Sequence, residues 1–294
     1  MLSILIPIYN EDITALVKDL SYQCNRQKIT YEIICFDDKS RQLYKDKNEV
    51  LRSAFRINYV ELSENLGRAK IRNWLAKSAS FDHFLFLDGD SKLINKSFIK
   101  NYVEHLPTNK IIVGGRIYKP KQPKNIKKIL HWKYGTLRES LPAQKRQKAG
   151  FIHFHSNNFI IPAEIFNKHK FDTEINGYGY EDLVFAQELE IAGYKITHID
   201  NPTRHNKIEN VEAFLSKTTE GINNLHQLYT TGRLKTTRLI KTYEMLKKYK
   251  LLGITSKHLR KKYPSYESNL RSAEPSIRQF NLWKLYQLIQ LMKN

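Results

Sequence analysis

Cysteine is nearly absent from this chain of 294 residues, which has only Cys24 and Cys35. Two cysteines, one of them inside an apolar run, make no disulfide framework, and a reducing compartment is the simpler expectation. Long hydrophobic runs are also lacking, since no stretch approaches the ~20 apolar residues of a membrane-spanning helix. The amino terminus, MLSILIPIYNED, has no basic segment and turns polar within ten residues, so no secretory leader is read there. A cytoplasmic protein is expected, soluble or peripheral at the inner face of the plasma membrane. Acids are scarce: 29 Asp and Glu face 49 Lys and Arg, for a net charge of +20. That excess points to an anionic partner, whether nucleic acid, an acidic membrane surface or a phosphorylated ligand. Internal repeats and low-complexity segments are absent.

Apolar residues make up 41% of the chain, with 14 Phe and 17 Tyr, enough for a sizeable core and too many for a disordered polymer. The length suits one large domain, or one of ordinary size with an appendage. The charge is uneven. Residues 110–150 hold twelve Lys and Arg against Glu139 alone, and residues 206–294 hold seventeen against six acids. Such segments are either solvated surface or a true anion-binding face.

Short apolar runs at residues 2–8, 31–38, 57–63 and 83–88 read as buried strands, the first without charge and the second ending in two acids. Between the first two, Ile13, Leu16, Val17 and Leu20 share one helical face, with Asn10 placed to cap it. Another helix is expected over 68–78. Strands alternating with helices imply βαβ units and a parallel sheet. Ligands of such sheets bind beyond the carboxyl ends of the strands, where Asp37, Asp38, Asp88 and Asp90 fall. Further strands are expected over 111–118, 151–162 and 195–200. In the second of these, His153 and His155 would share a face. A helix is expected over 182–192, stopping at Gly193. From about residue 209 the chain reads as helical and basic. Its last segment puts Leu282, Leu285, Tyr286, Ile289 and Met292 on one face.

The run FLFLDGDS is unusual in driving four apolar residues into two carboxylates. Gly89 permits a tight turn, and Asp88 and Asp90 converging beyond it would suit Mg²⁺ or Mn²⁺. Alone, the pattern reads better as a solvated acidic turn. Its company is more specific: IPIYN at 6–10, FDD at 36–38, NLGRAKIRN at 65–73, LDGD at 87–90 and GYGYED at 177–182 occur in that order.

This constellation resembles the family 2 glycosyltransferases of GT-A fold, inverting enzymes that use nucleotide-diphosphate sugars. The resemblance spans roughly residues 3–205. It implies an α/β, Rossmann-like GT-A domain over 1–208, with a nucleotide-binding half (1–110) and an acceptor-binding half (111–208), followed by a basic helical extension (209–294). It places Pro7, Tyr9 and Glu11 near the base and ribose, and Asp38 where a carboxylate accepts from a uracil N–H. Asn65, Gly67, Arg72 and Asn73 fit an Asn-x-Gly…Arg-Asn pattern, with Ile71 where alanine is usual. Lys39 stands where the family often has glycine. By the same resemblance Asp90 ligates a divalent metal, Mn²⁺ or Mg²⁺, and Asp88 contacts the sugar or ribose, or reaches the metal through water. His205 is a further metal ligand, suited to Mn²⁺. Asp182 is the catalytic base, and Glu181 bonds the acceptor. Tyr178, Tyr180 and His155 line the acceptor pocket. For each residue an ordinary structural role stands beside the functional one: a cap, a surface arginine, a first-turn acid or a loop histidine.

No Q-x-x-R-W element and no membrane span accompany the motifs. The resemblance therefore points to a non-processive enzyme that adds one sugar, from a donor expected to be UDP-linked, to a saccharide or lipid-linked saccharide. Capsule, lipopolysaccharide or another cell-surface glycan would be the product. The basic carboxyl-terminal half suits an anionic membrane, and its last amphipathic segment either meets that interface or packs within the protein or against a second subunit. Two other readings compete. A nucleic-acid-binding module is permitted by the charge but leaves DGD and YED unexplained. A sugar-nucleotide pyrophosphorylase would carry a glycine-rich amino terminus, which IPIYNED is not.

Overall fold

The computed structural model describes residues 1–175 and 177–293. The chain divides into two compact units. The first comprises Met1–Lys119, Glu139–Ile175 and Glu181–Lys207; the second comprises Pro120–Arg138, Asn176–Tyr180 and Ile208–Asn294.

The first unit is built on β1 (Leu2–Ile8), β2 (Tyr31–Asp37), β3 (Ile57–Glu61), β4 (His83–Leu87), β5 (Ser91–Leu93), β6 (Ile111–Val113), β7 (Arg116–Ile117), β8 (Asn158–Pro162), β9 (Ile196–His198) and β10 (Thr203–His205). Seven of them form one sheet in the order β3-β2-β1-β4-β8-β6-β9, and β5-β10-β7 form a second, small sheet. The apolar runs are explained by burial on both faces, except in β3, where only Tyr59 is buried. Ile4, Ile6 and Ile8 of β1 enter one core cluster with Ile33, Cys35, Leu85 and Leu87. Leu5, Ile34, Phe84 and Phe86 enter the other, where a ring cluster of Phe159, Phe166, Phe171 and Phe185 fills the space.

The sheet is not wholly parallel, as the βαβ reading expected. β8 runs antiparallel to both β4 and β6, pairing Leu87 with Asn158 and Val113 with Phe159. The expected strand over 151–162 is also cut short. Gly150–His153 is a 3-10 turn, and β8 begins only at Asn158. His153 and His155 therefore do not alternate along a strand; His153 is buried in the turn and His155 lies in the loop after it.

The expected strand over 111–118 breaks as well. β6 belongs to the large sheet and β7 to the small one. The break falls at Gly114 and Gly115, where a side chain has no room. A Cβ on Gly114 would sit 2.4 Å from Tyr102 Oη, and Gly115, at φ +87°, has the Arg146 guanidinium 2.8 Å from its would-be Cβ. Arg146 is fully buried and donates to the carbonyls of Leu141, Val113, Gly114 and Ile199. It binds the end of β6 to the segment after β9 with hydrogen bonds rather than apolar contact.

Asn10 does not cap the first helix, which runs over Thr14–Arg26. Its backbone N–H donates to Ser40 Oγ and its Oδ1 accepts from Arg41 N, tying the loop after β1 to the turn after β2. Asp12 Oδ1 receives Thr14 N instead, and Asn48 Oδ1 receives Ile13 N.

The second unit is helical, with its longer helices over Val211–Thr230, Arg238–Lys248, Leu252–Leu270 and Ile277–Leu291. Asn210, Thr237 and Ser276 cap three of them through side-chain oxygens. The last helix buries Phe280, Trp283, Leu285, Leu288 and Ile289, and Phe280 stacks on Phe214; of the expected face only Leu285 and Ile289 are buried, while Leu282, Tyr286 and Met292 are half-buried.

Candidate active site

The carboxyl edge of the large sheet gathers the acids. Asp37 closes β2 and is fully buried, accepting Ser40 N at 2.6 Å. Asp38 follows, and Asp38 N extends the parallel ladder to Ile8 O. Its carboxylate accepts Leu66 N at 2.5 Å and Gly67 N at 3.0 Å, while Asn65 Nδ2 donates to its carbonyl. The Asn-x-Gly element is thus a clamp on Asp38 at the start of the Gly67–Lys77 helix. Burial raises the Asp38 carboxyl above the usual carboxylate range, against the pull of those two N–H donors and with help from Asp37. Lys39 adopts the left-handed conformation that glycine would take, at φ +60°.

Beyond Asp38, Pro7 lies within β1 opposite Phe36. Tyr9 is largely exposed, and Glu11 is paired with Lys207. Gly89 is held close by the strand beside it: a Cβ there would lie 3.1 Å from Pro7 O.

Arg72 unites the edge. It is 3% exposed, so it is no surface arginine. Its Nη2 donates to Asp88 Oδ1 at 2.6 Å and its Nη1 to Arg68 O, and the guanidinium lies over the Phe171 ring. Asn73, the next motif residue, explains that support. It exchanges two hydrogen bonds with the Phe171 backbone, at 2.8 and 3.0 Å.

The small sheet, whose strands of two or three residues leave no periodic signal, brings in the rest. β5 and β10 pair antiparallel with Ser91 opposite His205. This sets His205 Nδ1 3.1 Å from Asp90 Oδ2. Burial alone would raise the Asp90 carboxyl; the hydrogen bond and charge of His205, with Arg116 and Lys207, outweigh it and bring it down to about 2. β7 pairs with β10 and contributes Arg116. Its Nη2 stands 3.7 Å from Asp88 Oδ2 and its Nη1 3.2 Å from Glu139 Oε2, which also accepts Tyr118 Oη at 2.6 Å. Arg116, Tyr118 and Glu139 escaped the sequence reading. The concentration of charge over residues 110–150, with Glu139 as its lone acid, was the available signal.

Asp88 and Asp90 therefore have different nearest partners, although the Arg116 charge reaches both. Asp88 is met by two guanidinium groups and Asp90 by an imidazole. Among the described residues, no group of three or more His, Cys, Asp and Glu converges as a ready metal cage. One carboxylate oxygen beside one imidazole nitrogen nonetheless fits a hard or borderline divalent cation that completes its sphere with phosphate oxygens and water.

The third part of the site opens the Glu181–Ile191 helix. Asp182 Oδ2 lies 3.7 Å from His155 Nδ1. Burial would raise the Asp182 carboxyl, but His155, Arg72 and the N–H of Leu183 bring it below the usual range. Glu181 is buried and moves the opposite way: burial raises it, Arg68 and Arg72 oppose, and Asp182 adds to the rise. Arg68 Nη1 reaches Glu181 Oε1 at 3.5 Å. Two adjacent acids with opposed shifts, beside a histidine, are a pattern suited to proton transfer.

Tyr178 and Tyr180 belong to the second unit. Tyr178 N donates to Glu220 Oε1, Asn224 Nδ2 donates to Tyr178 O, and Lys217 lies over the Tyr178 ring. Gly177 and Gly179 flank Tyr178 at positive φ, and Tyr180 shares that conformation at +74°.

The model of the glycosyl transferase family 2 matches residues 3–169 of the chain. Among solved structures, the chain is similar to the mannosyltransferase PcManGT from Pyrobaculum calidifontis, in complex with GDP-Man and Mn²⁺. The TM-score is 0.55 at 17% identity, covering 79% of this chain and 63% of that one. The chain thus spans less than two thirds of that enzyme's length. It is also similar to S. aureus TarS 1–349, with a TM-score of 0.50 at 16% identity, covering 98% of this chain and 90% of the other. These identities speak for the fold alone. No curated protein matches the chain by sequence.

Proposed function

The chain belongs to glycosyl transferase family 2, and from that premise we propose that it transfers a single sugar, with inversion, from a nucleotide-diphosphate sugar to a hydroxyl of a saccharide acceptor. The observation that carries the reading is the gathering of Asp88, Asp90, Arg72, Arg116 and His205 at the carboxyl edge of the sheet, with Asp182 in reach of the Arg72 charge.

In this reading Asp182 takes the proton from the acceptor hydroxyl as its oxygen attacks the anomeric carbon. His155 and Arg72 keep Asp182 ionised for that task, and Glu181 bonds the acceptor. Asp90 and His205 would hold Mn²⁺ or Mg²⁺, which when bound would supply neutralisation of charge on the departing nucleotide. Arg72 and Arg116 fix Asp88 for the sugar or ribose and add cationic charge beside the diphosphate. Pro7, Tyr9 and Glu11 flank the base. Asp38 keeps lone pairs for a base N–H such as that of uracil, and a UDP-linked donor is the one we favour. A lipid-linked oligosaccharide of the cell surface is the acceptor class we favour.

The test is hydrolysis of UDP- and GDP-sugars by the purified chain, with and without Mn²⁺. Metal-dependent release of the nucleotide is expected. If no sugar nucleotide binds or turns over with any divalent metal, the proposal is lost.

A further inference from the structure

The second unit buries or half-buries the apolar face of its last helix, where the sequence invited an interfacial role, and exposes apolar side chains at a different place. Around the corner between the Arg238–Lys248 and Leu252–Leu270 helices, Met245 is 52% exposed, Tyr249 63%, Leu251 43% and Ile254 72%. Four large apolar residues within ten positions are more than scattered surface exposure. The corner is well ordered by its own hydrogen bonds: Leu251 N donates to Leu246 O and Lys250 N to Lys247 O, with Lys250 in the left-handed conformation at φ +56°.

Basic residues surround this tip. Residues 241–262 carry eight Lys and Arg against Glu244 alone. Met245, Lys248 and Tyr249 recur at helical spacing, as do Ile254, Lys257, His258 and Lys261, so apolar and cationic side chains share faces. All seven are exposed.

We infer that this corner is a docking surface for an anionic lipid bilayer. Met245, Leu251 and Ile254 would enter the headgroup boundary, with Tyr249 at its polar level and the lysines against acidic headgroups. Charge complementarity commits the surface to this occupant. A second copy would bring two strongly cationic patches together. Nucleic acid would use the charge but leave three aliphatic side chains without bases to stack on. The inference does not rest on the transfer reaction and stands whichever donor is used.

The test is flotation of the purified full chain with vesicles of phosphatidylcholine alone, or of phosphatidylcholine with phosphatidylglycerol. The chain is expected to float only with the anionic vesicles. Lys248→Glu combined with Lys257→Glu should weaken partition by about twentyfold or more, from about fivefold per charge. Tyr249→Ser combined with Ile254→Ser should leave only weak binding that added salt abolishes. These side chains are exposed, so donor hydrolysis should be unchanged in both variants and neither should melt at lower temperature than the parent. The inference is overturned by equal binding to neutral vesicles, by no binding, or by either variant floating like the parent. It is equally overturned if the two variants abolish self-association or DNA binding while vesicle binding is absent.

Discussion

Arg72 carries three relationships at once: a short bond to Asp88, a cation face on Phe171 and a charge felt by Glu181 and Asp182. Lysine supplies the charge but neither the planar fork nor the second donor to Arg68 O. Arg72→Lys should therefore lower stability by about 1–3 kcal/mol and weaken donor affinity, read by thermal melts and nucleotide titration. Asp182→Asn should cut transfer by roughly 10²–10⁴-fold and leave nucleotide affinity nearly intact; loss of affinity instead would make Asp182 a structural residue. His155 lowers the Asp182 carboxyl, so its removal raises that carboxyl. For His155→Gln the acidic limb of the pH–rate profile should move to higher pH, and an unmoved limb would separate His155 from the base.

At the scale of elements, the break between β6 and β7 decides whether the small sheet forms. Gly114→Ala would push a methyl into Tyr102, Asn158 and the Asn201 backbone, with a cost on the order of 3 kcal/mol. Chemical denaturation should show that loss, and a neutral result would mean that this junction yields. His198 beside it is locked as a neutral ring, since Arg146 can only donate to Nδ1, leaving the Nε2 hydrogen for Gly150 O. Burial and neighbouring cations, Arg146 among them, lower its pKa to about 4, against the pull of the Gly150 bond. Between the ordinary value of 6.5 and about 4 the unfolded chain binds the extra proton, so stability falls as pH drops through that window. Melting curves across it should flatten in His198→Gln. The large sheet was legible in the sequence because Leu2–Ile8 and His83–Leu87 are short, uncharged apolar runs with one physical explanation. The Asn-x-Gly and Arg-Asn motifs were legible too, although their observed contacts are to Asp38, Asp88 and Phe171. The small sheet was not legible, because Arg116–Ile117 and Thr203–His205 are too short for a period and pair across residues far apart in the chain. The direction of β8 was hidden likewise: an apolar run reads the same both ways, and only the path through Gly150–His153 fixes it.

For the whole molecule, the +20 charge sets a repulsive background carried by two segments, residues 110–150 and 206–294, each with eleven more basic than acidic residues. Raising ionic strength from about 0.01 to about 0.1 M shortens the screening length from about 30 to about 10 Å. It should raise the thermal midpoint of the chain, and a lowered midpoint would mean that attractive pairs such as Lys217–Glu209 outweigh the repulsion. The pairing of β5 with β10 also bears on how the protein is made. Asp90 and His205 meet only when the ribosome has added everything between them. At typical synthesis rates of roughly 5–20 residues per second, Asp90 stays without its imidazole partner for on the order of 10 s. A nascent chain already long enough to display its first four strands would still lack the small sheet, which forms only once Thr203–His205 has cleared the exit tunnel and paired with Ser91–Leu93.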